Sequence, residues 1–110
     1  MKERPLCIFL MCLLIALLTG GSFVWAEQAT DKSGKALFAQ HCALCHPNGG
    51  NIINPAKTLD KETLAANGID DVDGIIDTLR NPGPGMTPFG PELIPDGEAR
   101  KIADYILETF

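Results

Sequence analysis

The sequence predicts an all-α domain of about four short helices, preceded by a segment that is removed during export. Three observations carry this prediction. Alternating β-branched residues, the signal of a strand, never extend over a useful length. Apolar residues instead recur at helical spacing in four places, and an aspartate or serine stands before each of them. Two stretches rich in proline or glycine, 47–57 and 81–95, separate these helical segments as loops.

The N-terminal segment has the three parts of a secretory signal peptide. Two basic residues precede an unbroken apolar run over 6–18, and small residues then lead to a predicted cleavage after Ala26. An uncleaved membrane anchor is the alternative, but glycines interrupt the run before it reaches the roughly 20 residues that span a bilayer. We therefore expect a cleaved signal peptide, 1–26, and one domain, 27–110, located in the periplasm.

The first two predicted helices flank the first loop. Asp31 or Ser33 can cap a helix that runs to about Cys45, because a side-chain oxygen at that position accepts from an unpaired backbone N–H. Asp60 can cap a short second helix, which ends at Gly68, where glycine allows the left-handed backbone of a helix end.

The last two predicted helices each carry one apolar face. Asp70 or Asp71 caps the third helix, and Asp96 caps the fourth. Between them, residues 81–95 contain five prolines and cannot be helical. The apolar positions are Val72, Ile75, Ile76 and Leu79 in the third helix, and Ile102, Tyr105, Ile106 and Phe110 in the fourth.

Charge and size constrain the function of residues 27–110. Seven basic residues (9 minus the two in the signal) and thirteen acidic ones (14 minus one) give a formal charge of −6. Nucleic-acid binding is therefore not expected, whereas a protein partner with a basic docking face is. A domain this small obtains little stability from its core alone and usually needs a covalent or metal staple.

The motif Cys42-Ala-Leu-Cys45-His46 supplies such a staple, since it is the attachment pattern of a c-type haem. Each thiol can bond one vinyl group, and the histidine can then bind the iron. A disulfide between the two cysteines would close too small a loop to stabilise the chain. A dithiol for thiol exchange would need a βαβ setting, and a zinc site would need a second Cys/His pair. Neither is found in the sequence.

The second axial position decides the chemistry of the iron. Met86 is the one methionine of residues 27–110, and it lies in a stiff Pro/Gly loop with no helix face to fill. A His/Met pair is typical of electron transfer, whereas an open position favours gas or peroxide chemistry. His41 is the rival candidate, but it precedes Cys42 on the same helix as His46. It is expected to lie at the surface or to contact the haem surroundings without binding the iron. Met86 is thus the predicted second ligand.

Together these residues resemble the class I c-type cytochromes, and most closely the cytochrome c6 and c6-like monohaem cytochromes of bacteria. The features that carry the resemblance are Gly34 and Phe38, the haem motif at 42–46, Gly49 to Ile53, Lys57 to Leu59, Asn81, Met86, Phe89 and Tyr105. It implies about four helices around one covalent haem c, with iron ligands His46 and Met86 and tethers Cys42 and Cys45.

The resemblance also implies local contacts. The first and last helices should cross where Gly34, Phe38 and Tyr105 meet, Phe89 should pack near the haem, and a carbonyl in the 50–57 loop should accept from the His46 ring.

The function implied is one-electron transfer between other redox proteins, by a monomer that is not an enzyme. A haem enzyme or a gas or redox sensor with a labile distal ligand is the alternative. Two departures from photosynthetic cytochrome c6 make a photosystem partner doubtful: 75–80 lack a glutamine, and Glu92 stands where an arginine is common. The loop around Met86 instead resembles c6-like cytochromes of anaerobic, metal-reducing bacteria.

Overall fold

A computed structural model describes residues 32–110 of the chain. The predicted signal peptide, its cleavage site and Asp31 lie outside the described residues. Four α-helices follow in order, with a short 3₁₀ turn at Pro47–Gly49: α1 Gly34–His41, α2 Lys61–Ala66, α3 Val72–Arg80 and α4 Asp96–Thr109. Residues 32–110 contain no strand, and the predicted all-α class is confirmed.

The core is formed where α1 and α3 pack against α4. Its buried residues are Leu37, Phe38, Cys42, Leu64, Ile75, Leu79, Ile94, Ala99, Ile102, Ala103 and Ile106. The apolar faces predicted for the last two helices supply four of these positions, Ile75, Leu79, Ile102 and Ile106, because residues three and four apart share one side of a helix.

The crossing of α1 and α4 is as close as backbone atoms allow. A Cβ atom added to Gly34 would lie 2.1 Å from the carbonyl oxygen of Lys101. One turn later, the ring of Phe38 packs 5.4 Å from that of Tyr105 and 5.4 Å from that of Phe110, measured between centroids. The three positions that the resemblance placed at this crossing do meet there.

Most helix starts follow the predicted caps. Ser33 accepts from the backbone N–H of Ala36 at 3.2 Å, Asp60 from that of Thr63 at 2.9 Å and Asp71 from that of Gly74 at 2.7 Å. Each of these oxygens satisfies a donor that the first turn of a helix leaves unpaired.

Two predicted boundaries were wrong. Helix α1 ends at His41, not near Cys45, because the N–H of Ala43 reaches back five residues to Phe38 and the chain then tightens into a turn. Asp96 does not cap α4: it is the first helical residue, Pro95 is the cap, and the Asp96 carboxylate instead accepts a hydrogen bond from Arg80.

Within residues 32–110, no helix combines the length and the apolar character that crossing a bilayer requires.

Candidate haem site

A tight turn after α1 presents the two cysteines and the histidine of the motif. The N–H groups of Cys45 and His46 both donate to the carbonyl of Cys42, at 3.1 and 2.9 Å. This turn leaves Cys42 buried and Cys45 exposed, each with a free thiol. Burial raises the pKa of the Cys42 thiol to about 11, which is the direction expected for a thiol removed from water. One sulfur therefore faces the core and the other faces solvent.

The ring of His46 is oriented by the backbone of the following loop. Its Nδ1 lies 2.8 Å from the carbonyl oxygen of Gly50. Because a carbonyl oxygen can only accept, Nδ1 carries the proton, and Nε2 of the neutral ring keeps its lone pair for a metal. The resemblance implied such a carbonyl within 50–57, and Gly50 provides it.

The rest of this loop is held by the side chain of Asn51. Its amide oxygen accepts from the N–H groups of Ile53 and Asn54 at 3.0 and 2.9 Å, and its amide nitrogen donates to the carbonyl of Lys57 at 3.0 Å. The N–H of Ile52 also donates to Cys45 at 3.0 Å, which ties the loop to the motif. The loop thus fixes the surroundings of His46 through hydrogen bonds rather than a packed core.

Met86 lies in the second loop, half-buried against the core. The preceding residue, Gly85, has a φ of +93°, and a Cβ atom built on it would lie 3.0 Å from Cγ2 of Ile53. The loop that carries Met86 therefore touches the loop that orients His46. The structure brings the two stretches with predicted iron ligands together from sequence positions 40 residues apart.

His41 packs beside Phe89 in the structure. Its half-buried ring lies 6.2 Å from that of Phe89, between centroids, in an edge-on arrangement. Phe89 follows Met86 by three residues, so His41 contacts the methionine loop through an aromatic neighbour.

Sequence reasoning did not single out Arg80, which also contacts this loop. The guanidinium of Arg80 donates to the carbonyls of Phe89 and Ile94. A signal was available: the five prolines of 81–95 have no N–H, so the carbonyls of this loop need donors from outside it. An arginine directly before the loop is well placed to supply them.

The side chains at this site fit a c-type haem. Two free thiols, an imidazole with an available Nε2 and a thioether form the donor set of such a group. Large apolar side chains are also left open to solvent nearby, with Leu44 87% and Ile53 59% exposed. An apolar macrocycle would cover surface of this kind.

Other kinds of site have less support in the described residues. Across 32–110, no three His, Cys, Asp or Glu side chains lie close enough together to hold a metal ion. A shallow depression of about 320 Å³ lies elsewhere, and neither the cysteines nor Met86 contribute to it. It is lined by Lys61, Leu64, Ala65, Ile69, Asp70 and Leu107.

Comparison with known proteins assigns the family. Residues 29–106 match the family model described as cytochrome c oxidase, cbb3-type, subunit III. Cytochrome c6 of Rippkaea orientalis is 36% identical over 107 residues, which cover 97% of this chain and 93% of the relative. The chain belongs to the class I c-type cytochromes. This cytochrome accordingly carries one covalently attached haem c and is a monohaem electron carrier that exchanges electrons with redox proteins.

Structural neighbours agree with this assignment. OmcF, an outer-membrane cytochrome F of Geobacter sulfurreducens, aligns with a TM-score of 0.70 and 49% identity, over 71% of this chain and 99% of that one. Cytochrome c6C of a Synechococcus species aligns with a TM-score of 0.64 and 34% identity, over 70% of this chain and 93% of that one. The predicted small cytochrome c fold of about four helices is thereby confirmed for this cytochrome.

Proposed function

We propose that this chain is a periplasmic one-electron carrier in which Cys42 and Cys45 tether haem c and His46 and Met86 are its axial ligands. The observation that carries the proposal is the hydrogen bond from His46 Nδ1 to the carbonyl of Gly50, at 2.8 Å. It fixes the tautomer and the ring orientation that axial ligation requires, and it raises the basicity of Nε2.

The residues of the site have separate tasks in this mechanism. A haem held by Cys42, Cys45, His46 and Met86 would supply reversible one-electron chemistry, with no bond made or broken. Cys42, which is buried, and Cys45, which is exposed, would each tether the haem through one thioether bond, formed by addition of the thiol to a vinyl group. Met86 supplies a soft sulfur ligand from a loop stiffened by proline, which favours the reduced iron and excludes other ligands.

Location and partners follow from the sequence and the charge. Cleavage after Ala26 would release residues 27–110 into the periplasm as a monomer that is not an enzyme. The mass of the exported protein tests this point, and it should equal that of residues 27–110 plus one haem. The formal charge of −6 favours a redox partner with a basic docking face, and electron transfer should then slow as ionic strength rises.

Ligation by Met86 is tested by spectroscopy of the purified holoprotein. The oxidised protein should show a weak near-infrared sulfur-to-iron band, and the reduced protein should not react with CO. Met86→Ala should abolish the band and admit CO, because it opens the axial position. His41→Leu, which removes the rival ligand while keeping an apolar contact to Phe89, should keep the band.

The alternative function predicts a different result. A wild-type protein that lacks the band and binds CO rapidly would be a haem enzyme or a gas sensor instead. If His41 were the second ligand, the oxidised wild type would lack the band, because no sulfur would bind the iron, and His41→Leu rather than Met86→Ala would admit CO to the reduced protein.

A further inference from the structure

A single arginine side chain closes the loop that carries Met86. Arg80 is the last residue of α3, and only 18% of its side chain is exposed. Its Nη1 donates to the carbonyl of Phe89 at 2.7 Å, and its Nη2 donates to the carbonyl of Ile94 at 2.9 Å and to the carboxylate of Asp96 at 2.7 Å. One guanidinium thus joins the end of α3, two points of the loop and the start of α4.

A backbone hydrogen bond reinforces the same point of closure. The N–H of Phe89 donates to the carbonyl of Leu79 at 2.8 Å. Both backbone polar groups of Phe89 are therefore bound to the last turn of α3, from which the loop departs at Asn81. These hydrogen bonds hold the two ends of residues 81–89 together as a closed loop. Met86 lies within this loop, three residues before Phe89.

The shape of the arginine side chain suits this role. A guanidinium is planar and presents five N–H donors in fixed directions, so one group can bind two carbonyls and a carboxylate at once. A lysine ammonium is compact and cannot span three acceptors that belong to different segments. The prolines of the loop provide no N–H to replace these donors.

We propose that Arg80 is a positioning residue that holds the closed loop and thereby keeps Met86 bound to the iron. It acts through the loop backbone, by donating to the carbonyls of Phe89 and Ile94. The inference rests on the proposed function, because it takes Met86 as the axial ligand. It adds that the stability of this ligation is set by a side chain outside the motif and outside the loop itself.

The test compares Arg80→Gln with Arg100→Gln in the holoprotein. Arg100 donates to Asp73 at 3.2 Å, in a pair that also joins α3 to α4, but its side chain is 59% exposed and, within residues 32–110, no hydrogen bond found for it reaches the loop. Both variants remove one positive charge and one ion pair between the same two helices. They differ in whether a loop carbonyl loses its donor.

Two measurements separate positioning from general stability. During urea titration of the oxidised protein, the near-infrared sulfur-to-iron band reports Met86 ligation and far-ultraviolet circular dichroism reports global unfolding. In Arg80→Gln we expect the band to disappear at a clearly lower urea concentration than the helical signal. The gap between these two urea midpoints should be wider than in wild type. The reduced variant should also bind CO, which wild type does not, since loss of a charge-assisted hydrogen bond raises the population of the open loop about tenfold or more.

The controls fix what each outcome means. Arg100→Gln should match wild type in the gap between the two midpoints and should likewise not react with CO. Asp96→Asn, which leaves both bonds to loop carbonyls in place, should lie near wild type. The inference is overturned if Arg80→Gln moves both midpoints together, or if Arg100→Gln widens the gap equally.

Two further outcomes remain. If Arg80→Gln does not accumulate with haem, Arg80→Lys replaces it, and a wild-type gap in that variant overturns the inference. The failure of the proposed function looks different, because wild type and Met86→Ala would then have the same near-infrared spectrum.

Discussion

At the scale of single residues, Gly34 decides whether α1 and α4 can cross. The position that its Cβ would occupy lies 2.1 Å from the carbonyl oxygen of Lys101 and 2.9 Å from Cβ of Tyr105. These are backbone and near-backbone atoms, which cannot rotate away, so a larger residue must push the helices apart. The aromatic contacts of Phe38 one turn later depend on the same approach.

Gly34→Ala should therefore destabilise the holoprotein. We expect a loss of roughly 1–3 kcal/mol in the free energy of unfolding, the usual cost of forcing an extra methyl into packed structure. Urea unfolding followed by circular dichroism measures this quantity. Gly97→Ala is the matched control, because Gly97 lies in the first turn of α4 and its added Cβ meets nothing within 4 Å.

The control should be neutral or stabilising by up to about 1 kcal/mol, since alanine restricts the unfolded chain more than glycine does. Equal losses in the two variants would mean that the crossing tolerates a methyl group. That result would contradict the close approach of the two helices.

Individual residues also show where sequence reasoning reaches its limit. Asp60 and Asp71 cap their helices as predicted, because capping depends on a donor two or three residues away. Asp96 fits the same pattern but binds Arg80, sixteen residues earlier in the chain. A local pattern cannot show a competing partner that the fold brings from another helix.

At the scale of elements, α2 is fixed at both ends by hydrogen bonds that the sequence indicates. At its start, Asp60 accepts from the hydroxyl of Thr58 and from the backbone and hydroxyl of Thr63. At its end, Gly68 has a φ of +73°, and the N–H groups of Gly68 and Ile69 donate back to Ala65 and Leu64. This pair of bonds is the helix-ending arrangement that glycine permits.

The cap at Asp60 predicts how stability depends on pH. Hydrogen bonds from Thr58 and then Thr63 lower the pKa of Asp60 from 3.8 to about 2. The unfolded chain therefore takes up this proton before the folded one does as the pH falls. The stabilisation is fully present above about pH 4 and is lost progressively toward pH 2.

Asp60→Asn tests this dependence, because asparagine can still cap the helix but carries no charge to titrate. The difference in thermal midpoint between wild type and Asp60→Asn should shrink as the pH is lowered from 5 to about 2. Asp104→Asn, an exposed change within α4, removes the same charge and serves as the control. A difference that stays constant over this range, or that shrinks equally in the control, would refute the role of the cap.

Helix α1 ends earlier than its apolar periodicity predicts, because residues 42–46 form the turn that carries the haem motif. Apolar periodicity continues through Ala43 and Leu44, which is why the sequence predicts a helix to about Cys45. The structure ends the helix at His41 and uses 42–46 as a turn that directs one cysteine inward and the other outward. Periodicity cannot reveal this change, because it records which residues are apolar and not which direction a thiol must face.

At the scale of the whole molecule, the described core is small for the loops that it supports. The long stretches between α1 and α2 and between α3 and α4 are held by hydrogen bonds and by a few half-buried side chains, including Met86 and Phe89. Large apolar side chains such as Leu44 and Ile52 remain exposed on them. The sequence predicts the helices well, since these depend on spacing, whereas contacts between the two loops depend on packing between residues that are far apart in the chain.

Folding should therefore depend on haem attachment. Three of the four described helices have only 8, 6 and 9 residues, and α4 has 14. Helices shorter than about 12–15 residues are marginal in water without tertiary packing, so three of them need the packed molecule in order to form. Two thioether bonds, two iron bonds and an apolar macrocycle would supply the packing that the protein core lacks.

Residues 27–110 produced where haem cannot be attached should consequently be largely unfolded. Far-ultraviolet circular dichroism should show only a weak helical signal, arising from α4, and heating should produce no cooperative transition. The exported holoprotein of the same sequence is the control and should unfold in one transition. A Cys45→Ala holoprotein, which loses one tether but no buried atom, should fall between the two because the haem remains attached through Cys42. A cooperative transition in the haem-free chain would show that protein contacts alone hold the loops, and the dependence on haem would be rejected.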